Sequence, residues 1–188
     1  MKQIAIFASG TGTNTANIIH YFRDHQTIKT SLIVSNKPDA GVLAIAKKEK
    51  IPTLILEKEE FFRGGSYVGV LQEKGIDFVV LAGFLWKVPP ALVKAFPGRI
   101  INIHPALLPK YGGKGMYGRY VHEAVLAAEE TESGITIHFV DEHYDNGQII
   151  FQARTLVEPG DTPDSLAQKI HGLEYYHFPR IIEEVIGK

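Results

Sequence analysis

The segment Ile100–His104 constrains the fold of this chain more than any other. Its isoleucines predict a buried strand, and Pro105 ends that strand, because proline cannot donate to a sheet and disfavours helix in the residue before it. Ligands in open α/β sheets bind beyond the carboxyl ends of the strands. Asn102 and His104 lie two residues apart, so both side chains point to one face there. An amide and an imidazole in one pocket suit acyl transfer. A strand cap and a turn hydrogen bond are an equally good interpretation of the spacing alone.

The beginning of the chain predicts a second binding feature. A short apolar run leads into the glycine turn 9–14 and then a helical pattern, the order found in nucleotide-binding βαβ units. Thr15 occupies the third glycine position of the dinucleotide fingerprint, and no acid stands at the end of the second strand. We therefore interpret the turn as an anion cradle, in which Gly12 admits a phosphate to the backbone while Thr13 and Asn14 cap the helix and contact the ligand. A tight turn with a polar cap and no ligand is the alternative.

The remaining patterns predict the fold class. Residues 76–81 are continuously apolar, as in a strand buried on both faces. Residues 134–140 alternate, and an Asn-Gly hairpin signal and a return strand at 148–156 follow them. With 45% apolar and 22% charged residues, the 188-residue chain can bury one α/β core. We expect a Rossmann-like, mostly parallel central sheet with helices on both faces and an antiparallel edge hairpin, with residues 1–188 as a single domain.

Composition and charge exclude several classes of function. The formal net charge of −1 provides no field to attract nucleic acid or an anionic membrane, so neither is expected as a partner. The absence of cysteine excludes disulfides, thiolate zinc sites and cysteine nucleophiles. None of the eight histidines forms a helical His-x-x-x-His pair with an acid, so no metal is expected. The N-terminal apolar run lacks a signal-peptide layout and is too short to span a bilayer, which predicts a cytoplasmic protein.

Several motifs resemble one enzyme family. The run Asn-Ile-His-Pro at 102–105, followed by Leu-Leu-Pro at 107–109, resembles the core motif of the 10-formyltetrahydrofolate-dependent formyltransferases. Residues 9–14, 81–84 and 133–147 resemble the glycinamide ribonucleotide formyltransferase branch, and the matches extend over nearly the entire chain. The resemblance implies that the protein transfers a formyl group from the co-substrate 10-formyltetrahydrofolate to the primary amine of glycinamide ribonucleotide, in de novo purine biosynthesis.

The resemblance also implies the catalytic residues. Asn102 and a protonated His104 would hold the oxyanion of the tetrahedral intermediate. Asp145 would stabilise the imidazolium and help to remove the amine proton through water, and Thr136 would position a water molecule. A nearby carboxylate favours a charged imidazole. From the local pattern alone, a turn acid before Asn-Gly is the better interpretation of Asp145.

Further residues are implied to bind the two substrates. The first expected set, on the ribonucleotide, is Gly12, Thr13, Asn14, Pro109, His171 and Glu174, with Glu174 on the ribose. The second, on the folate, is Arg63, Leu85, Trp86, Lys87, Val88, Asp141 and Tyr144, with Arg63 near the folate tail. His171 and Glu174 are equally well explained as surface residues of a terminal helix. The glycine-rich segment 110–120 is expected to be a mobile active-site loop, with an exposed linker as the alternative.

Other functions remain open at this point. Methionyl-tRNA formyltransferase shares the Asn-x-His-Pro signature but normally carries a C-terminal tRNA-binding domain, and formyltetrahydrofolate hydrolase carries an N-terminal regulatory domain. We expect neither extension here. A sugar-nucleotide amine formyltransferase and a non-catalytic phosphate-ligand binding module are further alternatives. The joint presence of Asn102, His104 and Asp145 favours catalysis, which mere binding does not require. A homodimer is one possible assembly.

Overall fold

Strands and helices alternate along the chain, as the sequence patterns predict. The computed structural model describes residues 1–63 and 65–187. The strands are β1 (Lys2–Phe7), β2 (Ile28–Ser35), β3 (Thr53–Ile55), β4 (Phe78–Leu81), β5 (Ile100–His104), β6 (Glu132–Phe139) and β7 (Ile149–Leu156). The helices are α1 (Thr13–Tyr21), α2 (Gly41–Lys48), α3 (Lys58–Arg63), α4 (Ser66–Glu73), α5 (Pro90–Ala95), α6 (Arg119–Ala127) and α7 (Pro163–Ile186).

The described residues form one seven-stranded sheet in the order β3-β2-β1-β4-β5-β6-β7. The strands β1 to β5 are parallel, and β6 pairs antiparallel with both β5 and β7. The predicted fold class is therefore confirmed, including its antiparallel edge. The strand order reverses direction at β1, between β2 and β4, which is the switch point where ligands bind in such sheets.

Helices cover both faces of this sheet. The central strand β1 shows why, because Ile4 and Ile6 enter one hydrophobic core while Ala5 and Phe7 enter the other. The first core is completed by α1, α2, α6 and α7, and the second by α3, α4 and α5. A strand buried on both faces must be apolar throughout, which explains the continuous apolar runs in the sequence.

The predicted strands at 76–81, 134–140 and 148–156 correspond to β4, β6 and β7 within two residues at each end. Between β3 and α4, the short helix α3 buries Phe61 and has acidic residues in its first turn. Gly64, which follows α3, lies outside the described residues. The last helix begins at Pro163, and Thr162 before it forms a capping box with Ser165. No helix in the described ranges is both long and apolar enough to cross a membrane.

Candidate active site

A cleft of about 650 Å³ opens at the carboxyl ends of β1, β4 and β5, at the switch point of the sheet. The turn after β1, the glycine-rich segment 113–118 and the helices α6 and α7 contribute to its walls. The predicted site residues that line it are Gly12, Thr13, Asn14, Leu85, Asn102, His104, Tyr144, Asp145, His171 and Glu174. One cleft thus joins the predicted catalytic residues to the predicted anion cradle.

The three predicted catalytic side chains meet at the end of β5. His104 Nδ1 lies 3.6 Å from Asp145 Oδ2, and Asn102 Nδ2 lies 3.5 Å from Asp145 Oδ1. His104 is 4% exposed, and its Nε2 donates to the carbonyl of Tyr111 at 2.7 Å. Since a carbonyl only accepts, Nδ1 is the nitrogen that faces the carboxylate.

Asp145 is held in place by the glycine-rich segment. The Gly113 N–H donates to Asp145 Oδ2 at 2.9 Å, and Asp145 has a φ of +48°, a conformation that Asp tolerates better than most residues. A Cβ atom on Gly112 would lie 2.5 Å from Leu108 Cδ2 and 3.3 Å from Asp145 Cβ. Glycine at 112 therefore lets the segment approach closely enough for Gly113 to bond the carboxylate.

The electrostatics of the pair differ in part from the expectation of a protonated imidazole. Burial lowers the pKa of His104 below its ordinary value, while the charge of Asp145 and the hydrogen bond to Tyr111 raise that pKa by less. Burial raises the pKa of Asp145, but contact with His138, the charge of His104 and the Gly113 N–H outweigh burial and lower it. Without ligand at neutral pH, Asp145 is a carboxylate and His104 is a neutral imidazole.

His138 is a site residue that the sequence analysis missed. It lies 2% exposed on β6, with Nε2 at 3.0 Å from Asn102 Nδ2 and 3.7 Å from Asp145 Oδ1. Its Nδ1 donates to the Phe139 carbonyl at 2.8 Å, which fixes the ring. The signal was present, because His138 alternates in phase with Thr136 along the strand, but the pairing of His138 with Asn102 follows only from the sheet register.

Thr136 is close to the trio in the fold but does not reach the cleft. Its buried hydroxyl donates to the Ala106 carbonyl at 2.7 Å and accepts from the Leu108 N–H at 3.0 Å. Gln152 Nε2 also donates to it at 2.9 Å. The hydroxyl thus makes all three of its possible hydrogen bonds within the protein. Thr136 stabilises the turn after β5 and is not available to position a water, which corrects the expected role.

The predicted anion cradle forms the opposite end of the cleft. Gly12 has a φ of +81°, and a Cβ atom there would lie 2.8 Å from the Val42 side chain. It is the N-cap of α1 without a side-chain cap bond, so Thr13 and Asn14 do not cap the helix as expected. Asn14 Nδ2 instead donates to Glu174 Oε2 at 2.9 Å, and burial raises the pKa of Glu174 to about 7.

Two predicted ribonucleotide residues have different positions. His171 lies on α7 one turn before Glu174 and stacks on Tyr175, with ring centroids 5.9 Å apart, where it lines the cleft. Pro109 does not line the cleft. It borders a separate pocket of about 230 Å³ beneath the turn after β5.

The predicted folate residues are only partly brought together. Leu85 and Tyr144, 39% and 41% exposed, present apolar surface to the cleft, which suits a flat heterocycle. Lys87 Nζ lies 5.9 Å from the Tyr144 ring centroid. Neither Lys87 nor the other four line the cleft. Arg63 pairs with Glu59, Trp86 packs on Phe61, Val88 is buried in the core, and Asp141 binds the His143 N–H within its own loop.

An amide, an imidazole and a carboxylate at the switch point of this sheet suit acyl transfer, and comparison with known proteins identifies the class. The formyl transferase family model matches residues 2–182, and the chain belongs to this family. Its relatives include phosphoribosylglycinamide formyltransferases. The chloroplastic enzyme of Arabidopsis thaliana is 42% identical over 99% of this chain and 64% of its own length. The Haemophilus influenzae enzyme is 35% identical over 97% of this chain and 86% of its own length.

Solved structures agree with the sequence comparison. The phosphoribosylglycinamide formyltransferase of Bacillus halodurans superposes with a TM-score of 0.90 at 37% identity, covering 100% of this chain and 96% of that one. The chain spans 64% and 60% of the two plant relatives, and it matches 14% of a trifunctional purine biosynthetic protein of Drosophila melanogaster. Among the described residues, no group of three histidine or acidic side chains converges as a metal site.

Proposed function

We propose that this protein transfers the formyl group of 10-formyltetrahydrofolate to the primary amine of glycinamide ribonucleotide. One observation carries the proposal: Asn102, His104 and Asp145 surround one end of a cleft whose other end is the Gly10–Asn14 turn. A phosphate-binding module needs only the turn. The carboxamide, imidazole and carboxylate are the groups that an acyl transfer requires.

The residues divide the reaction between them. The free amine attacks the formyl carbon and forms a tetrahedral intermediate whose oxygen carries negative charge. The amide of Asn102, oriented by His138, donates to that oxygen, and the second group that stabilises it is His104 once it has become an imidazolium. When the intermediate collapses, the bond between the formyl carbon and N10 of the folate breaks.

One proton must move from the attacking amine to N10, and the neutral His104 provides the relay. The Tyr111 carbonyl holds the proton on Nε2, so Nδ1 receives the amine proton directly or through water. The resulting imidazolium lies against the Asp145 carboxylate, which stabilises it. The imidazolium then stabilises the oxyanion and finally gives its proton to the leaving nitrogen.

The remaining expectations stay predictions. Glycinamide ribonucleotide would bind from the Gly10–Asn14 turn towards Glu174, and the folate would lie between Leu85 and Tyr144, with Lys87 alongside. A homodimer, a single domain over residues 1–188 and the absence of nucleic acid or membrane partners rest on the sequence alone. The cytoplasmic location does so as well, and the Arabidopsis relative is named as chloroplastic.

A spectral assay tests the proposal. Purified protein is mixed with 10-formyl-5,8-dideazafolate, with and without glycinamide ribonucleotide, and the release of the deformylated product is followed. Release that depends on the ribonucleotide is the expected result. Release into water alone would identify a hydrolase, release that requires a sugar-nucleotide amine would identify that acceptor, and no release with any acceptor would contradict formyl transfer.

A further inference from the structure

His122 is a buried side chain of the cleft that the chemistry above does not use. It lies on α6, is 3% exposed and contributes to the cleft wall. Its Nδ1 is fully enclosed and has no hydrogen-bond partner within residues 1–63 and 65–187. A buried polar group without a partner destabilises the folded state, so it calls for a ligand or another explanation.

The ring is uncharged under ordinary conditions. Burial, with smaller contributions from the neighbouring His171 and His104, lowers the pKa of His122 to about 4. A neutral imidazole has one donor and one acceptor and suits an uncharged polar group better than a phosphate or an ammonium ion. Cations such as lysine would suit the phosphate, and carboxylates such as Glu174 suit hydroxyl groups.

The position of His122 identifies the part of the substrate that it faces. His122 lines the same cleft as His104, at the catalytic end, and His171, one helical turn before Glu174 near the cradle end. If the proposed function is correct, the ribonucleotide runs from its phosphate at the turn, past its ribose at Glu174, to its amine at His104. The group between ribose and amine is the carboxamide of the glycinamide unit, which is neutral and has one N–H and one carbonyl.

We infer that His122 is a specificity-determining residue that hydrogen-bonds the glycinamide carboxamide of the acceptor substrate. The inference rests on the proposed function. In this assignment, α6 recognises the carboxamide that joins the ribose to the amine, while other elements bind the phosphate and the ribose. It also explains why a polar ring whose Nδ1 has no partner among the described residues lies in a helix whose neighbours Val121 and Val125 are buried and apolar.

The experiment combines a change in the protein with a change in the substrate. Wild type, His122→Leu and His122→Gln are assayed with glycinamide ribonucleotide and with an analogue in which an uncharged fluoroalkene group replaces the carboxamide. We expect wild type to use the analogue with a kcat/KM about tenfold lower or more, since one buried hydrogen bond is lost. His122→Leu should raise KM for the natural acceptor about tenfold, leave KM for the folate unchanged and abolish the discrimination. His122→Gln should restore part of it.

The outcomes separate this inference from the proposed function. If wild type transfers formyl to glycinamide ribonucleotide but accepts both substrates equally well, His122 does not recognise the carboxamide. Full discrimination by a folded His122→Leu protein would overturn the inference in the same way. If His122→Leu does not fold, the wild-type comparison still decides. Inactivity of wild type with the natural acceptor would instead contradict the proposed function.

Discussion

The two ends of the cleft differ in how their polar groups are paired. At the catalytic end, His104 donates to the Tyr111 carbonyl and Asp145 accepts from the Gly113 N–H. His138 lies at hydrogen-bond distance from Asn102, so the amide is held as well. These protein contacts fix the reacting groups before a ligand arrives, which is the arrangement that electrostatic stabilisation of a transition state requires.

At the cradle end and on the neighbouring cleft wall, two polar atoms lack such contacts, although Asn14 Nδ2 donates to Glu174 Oε2. Asn14 Oδ1 and His122 Nδ1 are enclosed without partners in the described part of the chain, and Glu174 is 7% exposed with a pKa raised to about 7. Each enclosed polar atom left unpaired costs about 1–3 kcal/mol. The difference suggests that the protein holds its catalytic groups by itself and leaves its recognition groups to be paired by the substrate.

The largest effect is expected from substitutions at the catalytic end of the cleft. Asp145→Asn removes the charge that stabilises the His104 imidazolium, and Asn102→Ala removes an oxyanion donor. Each should lower the single-turnover rate at least about a hundredfold, the usual loss for such a group, with the midpoint of thermal unfolding unchanged. Glu142→Gln, which changes an exposed acid in the same loop, is the control. Near-normal rates in the folded variants would remove these assignments.

A smaller effect should follow from moving Asp145 without changing it. Gly112→Ala places a Cβ atom 2.5 Å from Leu108 Cδ2 and 3.3 Å from Asp145 Cβ, so the Leu108 side chain or the segment that bonds Asp145 must shift. Displacement of a catalytic group by about 1 Å costs on the order of a hundredfold in rate, so we expect kcat to fall by up to that amount. Gly69→Ala is the matched control, because nothing lies within 4 Å of its Cβ position. Equal kcat in both variants would mean that the glycine segment does not position the carboxylate.

The smallest effect concerns stability at the cradle end. The pKa of Glu174 is raised from 4.5 to about 7, so its protonated form contributes stability below pH 4.5 that is lost as the pH rises through about 7. Glu174→Gln should remove this loss. The free energy of unfolding of the ligand-free variant, relative to wild type, should therefore be higher at pH 8 than at pH 5. The expected difference from wild type is on the order of 2 kcal/mol.

Urea unfolding of wild type and Glu174→Gln at the two pH values measures this difference. The lowered pKa of His122 reduces stability at low pH by the same amount in both proteins, so this contribution cancels in the comparison. The variant should also bind glycinamide ribonucleotide more weakly. Glu184→Gln, at an exposed position on the same helix, should change neither property. A Glu174→Gln protein that is less stable than wild type at pH 8 would show that the buried Glu174 carboxylate does not destabilise the ligand-free protein.

The fold could be predicted because its signals are local. The strand β5 ends at His104 because Pro105 follows it. Asn102 and His104 point to one face because side chains alternate along any strand. The helix α3 was missed because a short, charged segment before two glycines has a weak periodic signal, and the burial of Phe61 against Trp86 and Phe84 decides its structure.

The site was predictable only in part, because its properties depend on distant contacts. The local pattern around Asp145 favours a turn acid, and its catalytic assignment came from family resemblance. His138 required the register of β6 against β5. The net pKa shift of His104 depends on a balance between burial and Asp145 that no local pattern contains. The partners of Thr136 lie in three separate segments, so its bracing role could not be read from the sequence.

A crystal structure of the protein with glycinamide ribonucleotide is the most direct test of the difference between the two ends. We predict that Asn102, His104 and Asp145 keep their ligand-free positions, while Asn14 and His122 gain hydrogen bonds from the bound ribonucleotide. A ribonucleotide bound away from the Gly10–Asn14 turn, or an Asp145 carboxylate that reaches His104 only after the ligand binds, would contradict this account.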